Sequence, residues 1–361
     1  MRRLPILMRA LRDPDQLAGF TLADWDLLLR QAASTNLTPT LLALAEARGL
    51  LDRIPPQARA HFDWVRPLAA RHRQAVCFEV ACIQTALRPT GLPLLLLKGA
   101  AYVMAGLQAG EGRLFGDIDI LVPKGRLGEV ESALMLNGWA STHHDAYDQR
   151  YYREWMHELP PMKHVRRQSN IDVHHAIVPE TAPVWPDPDS LRARARPIDG
   201  APGLAVLAPD DMVLHSAVHL FFDGEFDKGL RDLFDLHRLL CEFGAQPGFW
   251  SGLASRAREL ELERPLFYAL RYASCLLGTP VPATVMRDAG AGAPGAPVLA
   301  VMDQLFLRAL MPAHPSCAGV FTGLAHGILY MRGNWLRMPP LLLSRHLFHK
   351  AFLSPRAATT N

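Results

Sequence analysis

The segment GDIDILVPK, residues Gly116–Lys124, places two carboxylates two positions apart inside a run that otherwise has the composition of a buried strand. Side chains at i and i+2 of a strand share one face, about 7 Å apart along the chain. Asp117 and Asp119 therefore point one way, and Ile118 and Ile120 point the other. Like charges this close repel, and burial adds a desolvation cost. A divalent cation relieves both, and magnesium favours one or two carboxylates together with phosphate oxygens and water. The segment reads as a metal site at the end of a buried strand, and a solvated strand edge is the competing reading. In the metal-free protein either acid is expected to be removable at little cost in stability, because the two repel.

The pattern on either side of this strand divides the chain. Residues 1–90 carry helical spacing: TLADWDLLLRQAAS follows the N-cap candidate Thr21, LTPTLLALAEARGLL has Pro39 near its start, and HFDWVRPLAARHRQAVCFEVACIQTALRPTG ends at Pro89 and Gly91. Over residues 91–208 short apolar runs alternate with helical stretches: LLLL before Lys98, then DIDILV, then an amphipathic segment closed by Asn137-Gly138. RYYREWMHELPPMKHVRRQSNIDVHHAIV reads as three further strands, with turns at Pro160-Pro161 and at Gln168–Asn170. Residues 209–361 return to helices, among them PDDMVLHSAVHLFF, FDKGLRDLFDLHRLLCEF and ERPLFYALRYASCLLG, with AGAGAPGAP as a flexible connector. The expected class is α+β, a mixed sheet flanked by N-terminal and C-terminal helical regions.

Composition excludes several function classes. A net charge of +3 announces no nucleic-acid-coating surface. The five cysteines are scattered without a CxxC, which speaks for free thiols and against a disulfide framework or zinc knuckle. The apolar stretch near the start is too short and interrupted for a secretory leader, and no run of 18 apolar residues is present. A cytoplasmic protein without a membrane span is expected.

Three features accompany the paired acids. Lys98-Gly99 follows an apolar strand and precedes a helix, a place where backbone and ammonium can approach phosphate. Arg113 precedes Asp117 by four residues, in a loop suited to planar contact with phosphate. Asp172 lies in NIDVHHAI, on one face with His174, as a third carboxylate or as the acceptor of a proton from an attacking hydroxyl. Taken singly, each has an ordinary structural reading. Their order is that of a two-metal phosphoryl-transfer site, in which carboxylates hold ions about 4 Å apart.

With LLLKGAA, RLFGDIDILV, HELPP and IDVHHAI in view, the sequence resembles the uncharacterised nucleotidyltransferase family of bacteria within the DNA-polymerase-β superfamily. The resemblance implies a polymerase-β-like core, Mg2+ or Mn2+ as cofactor, and a nucleoside triphosphate, ATP being the expected one, as substrate. It makes Asp117 and Asp119 the metal-binding pair and Asp172 the third carboxylate, and it sets Lys98, Gly99 and Arg113 beside the triphosphate. Ala100 stands where the superfamily has a serine or glycine, and the spacing from Gly99 to Asp117 is longer than in minimal members.

Other residues are secondary candidates. His157, in the Pro-Pro hairpin, and His174 are possible substrate contacts. Lys228, Arg231 and Asp235 share a helix face that reads as an ion-paired surface or as a nucleotide-binding wall, to which Arg231 is assigned. His215 and His219 have the i, i+4 spacing of a zinc pair, but no third ligand accompanies them. The leading expectation is transfer of a nucleoside monophosphate from NTP to an acceptor. A DxD-type glycosyltransferase is the second, and leaves Lys98-Gly99 and Asp172 without a task. A non-catalytic nucleotide- or partner-binding member is the third, and the three retained acids speak against it. Small molecule, sugar, protein and RNA end all stay open as acceptor.

Overall fold

A computed structural model of the chain describes residues 4–143 and 145–345. His144 and the polar tail lie outside the described residues. The expected leading helices form as α1 (Ile6–Arg12), α2 (Leu22–Ser34), α3 (Thr38–Ala47) and the long α4 (Pro56–Leu87). At the start of α2 the Thr21 hydroxyl accepts from the Asp24 amide while the Asp24 carboxylate accepts from the Thr21 amide, a capping box that uses two otherwise orphaned donors.

Gly91, at φ 67°, stops this helical lead-in. The chain then runs through β1 (Leu94–Leu96), α5 (Lys98–Met104), β2 (Asp117–Leu121), α6 (Leu127–Leu136), β3 (Trp139–Ser141) and α7 (Ala146–Arg150). It continues through β4 (Met162–His164), β5 (Asn170–His174), α8 (Pro188–Ala193), β6 (Arg196–Pro197) and β7 (Leu204–Val206). The seven strands form one mixed sheet in the order β3-β4-β5-β2-β1-β7-β6. β2 pairs parallel with β5, and β1 pairs parallel with β7 and antiparallel with β2. The α+β class holds, and the sheet is built within residues 91–208.

One expected strand is absent. Residues 146–155 are helical: α7 passes into a π turn, Tyr151–Trp155, closed by the Met156 amide on the Tyr151 carbonyl at 3.1 Å. The reason is the spacing of the aromatics. Tyr147, Tyr151 and Trp155 recur every four residues, the period of a helix face, and that face packs with Met156, Met338 and Leu343 in a small core of its own.

The C-terminal helices are α9 (Pro209–Phe222), α10 (Gly229–Gly244), α11 (Phe249–Glu259), α12 (Glu263–Tyr272), α13 (Ala283–Ala289), α14 (Ala296–Ala309) and α15 (Thr322–Arg337). Within the supposed connector, Gly290–Gly292 is a helical turn, and Gly292 packs against the Glu263 backbone. Leu7, Trp25, Phe62, Ile120, Phe221 and Phe306 belong to one continuous core, so both helical regions pack on the sheet. Among the described residues no helix is long and apolar enough to cross a membrane.

Two glycines bring α15 onto the turn after α9. A Cβ on Gly224 would lie 2.6 Å from the Leu329 carbonyl oxygen and 2.9 Å from the Gly333 Cα. A Cβ on Gly333 would lie 2.7 Å from the Gly224 Cα. Backbone cannot yield as a side chain does, so Gly333→Ala is expected to destabilise by about 1–3 kcal/mol. Gly323→Ala, on the same helix with nothing within 4 Å of its Cβ, should leave the melting temperature unchanged or raised. Thermal denaturation of the two variants side by side checks this; equal melting temperatures would dismiss the close crossing.

Candidate functional site

The parallel pairing of β2 with β5 sets Asp117 opposite Asn170 and Asp119 opposite Asp172. Ile118, Ile120, Ile171 and Val173 take the other face and are buried in the core. The packing of that face fixes the register, and the register brings the three acids together: oxygens of Asp117, Asp119 and Asp172 all lie within 4.8 Å of one another. Asp117 is exposed and Asp119 buried. Asp172 is half-buried, and its Oδ1 is shielded from solvent with no hydrogen-bond partner. Burial, reinforced by the charge of Asp119, pushes the Asp172 carboxyl up to about 7.

Asp119 has partners of opposite sign. Lys98 Nζ and His174 Nε2 each lie 2.9 Å from its Oδ1. Burial alone would raise its pKa, but these two groups outweigh burial and hold it well below the usual carboxylate range. Lys98 reaches it from a left-handed backbone, φ 45°, a conformation a lysine adopts at a cost. The expectation that either member of the acid pair is dispensable for stability is thus corrected for Asp119: its loss would leave the half-buried Lys98 ammonium without its carboxylate partner and His174 with one carboxylate of two.

The HELPP segment runs beside β5, with the Leu159 amide on the Val173 carbonyl and the His175 amide on the His157 carbonyl. This lays the His157 ring on His174, with centroids 5.2 Å apart, and sets Glu158 Oε2 3.3 Å from His174 Nδ1. His174 therefore spans two carboxylates. Burial lowers its pKa, but the Asp119 hydrogen bond and the Glu158 charge outweigh it and raise it. Glu158 escaped the sequence reading, although it stands next to His157. Its only signal was an acid beside a buried turn. Atoms of His157, Glu158 and His174 also lie within 4.8 Å of one another, but both His174 nitrogens already face carboxylates.

The cations assigned to phosphate are placed differently from one another. Arg113 is buried, its Nε 2.6 Å from Asp235 Oδ2 and its Nη2 3.8 Å from Asp232, with its guanidinium over the Tyr102 and Phe115 rings. Arg113 and Phe115 also fill the space a Cβ would need at Gly99, where Phe115 Cδ1 would be 2.8 Å away. Gly99 thus admits side chains of its own protein. Arg231 is buried, 2.7 Å from Asp232 Oδ1.

The three acids, Lys98, His174, Arg113 and Arg231 line one cleft of about 690 Å3 between the sheet and the C-terminal helices, within the roughly 300–1,000 Å3 of small-molecule sites. The far wall contains residues with no motif in the sequence: Asp223 after α9, and Tyr330, Asn334 and Arg337 on α15. The i, i+4 histidines divide. His215 is buried, and His219 lines the cleft and donates through Nδ1 to Asp223 at 2.9 Å. Neither belongs to a three-ligand grouping among the described residues.

A family model described as Uncharacterised nucleotidyltransferase matches residues 21–278. The chain belongs to this family. No curated protein matches it, and no solved structure does. Family membership indicates a transferase that uses a nucleoside triphosphate. The matched segment of this nucleotidyltransferase holds the whole sheet, the three acids, Lys98, His174 and the His219–Asp223 pair, and it ends before α15.

The donor set fits a hard divalent cation: three carboxylates, all-oxygen, one of them with a shielded and unpartnered oxygen. Without a cation, Asp172 is a source of instability. Its folded pKa of about 7 exceeds the unfolded 3.8. The native state holds the extra proton, so stability falls as pH rises through this window. Asp172→Asn should raise the melting temperature of metal-free protein at pH 8 by about 2–4 °C. The gain should shrink as pH is lowered towards 4. A gain that is equal at both ends would mean that Asp172 is not the titrating group.

Proposed function

We propose that the protein is a metal-dependent nucleotidyltransferase that moves a nucleoside monophosphate from an NTP, ATP being the expected donor, to an acceptor hydroxyl. The observation that carries this reading is the convergence of Asp117, Asp119 and Asp172, with the Asp172 Oδ1 unpartnered. Asp117, Asp119 and Asp172 are the residues that would hold Mg2+ or Mn2+, and the bound cation would supply positive charge to the phosphate oxygens. Membership of the family, together with an acid on the neighbouring strand, favours nucleotidyl transfer over a DxD glycosyl transfer.

In the transfer, the acceptor oxygen forms a bond to the α-phosphorus, the bond to the β-phosphate oxygen breaks, and pyrophosphate leaves. The acceptor proton needs a carboxylate, and Asp172 is the one suited to take it. Lys98 and His174 keep Asp119 ionised throughout. Glu158 orients His174 from its other nitrogen. His157 and the His219–Asp223 pair line the same cleft and offer polar contacts to bound substrate.

Incubation with α-labelled NTP, Mg2+ or Mn2+ and cell extract tests the activity, with label carried into a product as the expected result. Asp117 gives the cleaner variant, because it is exposed and compensates no buried cation. Asp117→Asn should reduce labelling by about 100-fold or more and abolish the thermal stabilisation conferred by Mg-ATP. Its ligand-free melting temperature should stay within about 1 °C of wild type. A variant that keeps the Mg-ATP stabilisation would remove Asp117 from the site.

A further inference from the structure

A nucleoside triphosphate brings several negative charges, and the cleft contains five lysine and arginine side chains: Lys98, Arg113, Lys228, Arg231 and Arg337. Three are already matched by acids: Lys98 by Asp119, Arg113 by Asp235, and Arg231 by Asp232. Among the described residues, Lys228 and Arg337 have no carboxylate within 4.0 Å. Lys228 is exposed at the rim. Arg337 is half-buried, and among the described residues its guanidinium makes a single long hydrogen bond, 3.3 Å, to the Asn334 amide oxygen. Its positive charge reaches Asp223 and Tyr151, both on the cleft wall.

Arg337 is also held in place. Its carbonyl accepts from the Thr181 hydroxyl at 2.5 Å, and the same hydroxyl lies 3.1 Å from the Trp155 carbonyl. One turn earlier, Gly333 locks α15 against Gly224. The small core of Trp155, Met156, Met338 and Leu343 closes over the next residues of the chain. A planar, permanently charged donor is thus pre-positioned in a polar cleft, near Asp223 but with no carboxylate within 4.0 Å among the described residues.

We infer that Arg337, from a helix beyond the family-matched segment, binds the phosphate tail of the nucleoside triphosphate, with Lys228 supporting it at the rim. The inference rests on the nucleotidyl-transfer reading and assigns that site its cationic wall. Arg113 and Arg231 then serve to build the site through Asp235 and Asp232, and the contact with the β- and γ-phosphates passes to α15. The ordinary alternative is a basic residue at a helix C-terminus that serves only the helix dipole.

Calorimetric titration of the full chain with ATP and with AMP, at one fixed magnesium concentration, separates these. Arg337→Ala is expected to weaken ATP by about tenfold or more and AMP by less than about twofold, with an unchanged melting temperature. Arg337→Lys, which keeps the charge at the helix end but loses the fork, should fall between. It decides the matter by the same ATP-to-AMP ratio should the alanine variant not fold. ATP binding equal to wild type, or parallel losses for ATP and AMP, would overturn the inference and leave the nucleotidyltransferase reading standing. Wild-type protein that binds neither nucleotide would remove both.

Discussion

Asp119 is a buried carboxylate with a second carboxylate directly opposite it on the neighbouring parallel strand. Left bare, that arrangement would be resolved by protonation or by unfolding. Lys98 and His174 resolve it otherwise, by putting an ammonium and an imidazole on one oxygen. Much of the local structure follows from that requirement. Lys98 takes up a left-handed backbone to deliver its ammonium. Glu158 comes down on His174 from a segment laid along β5. Asp172 is the acid left over, and it carries the repulsion as a raised pKa. The cluster of three acids is therefore held by two basic side chains of its own, both of them on Asp119.

The part of this that could be read from the sequence is the part that obeys a short period. The two-residue alternation of DIDIL and NIDVH put the right acids on the right faces, and apolar residues on the reverse faces fixed their pairing. Helical spacing marked the lead-in and the C-terminal helices. The same kind of reasoning failed at residues 150–155, where Tyr151 and Trp155 on a helix face were taken as strand residues, and at AGAGAPGAP, where small residues proved to be packed.

Partners distant in sequence had no signal to find. Lys98 meets Asp119 because β1 and β2 pair antiparallel, with Leu96 against Ile120. Arg113 meets Asp235 across 122 residues. The loop arginine read as a phosphate contact and the helix-face acid as part of an ion-paired surface or a nucleotide wall; only the fold pairs the two with each other. The α15 wall is an extreme case: Tyr330, Asn334 and Arg337 form no motif, and their place in the cleft comes from the way one helix crosses another.

That crossing sets a dimension. Where Gly224 meets Gly333, main chain rests on main chain, so the separation there is already at its lower limit and no longer side chain can be fitted to tune it. The gap between the sheet and α15 then behaves as a fixed calliper. Tyr330 lies three residues before the contact and Asn334 directly after it, and both face the opening. Exchange of such residues would alter the shape and polarity of the opening while the jaws stay at the same width.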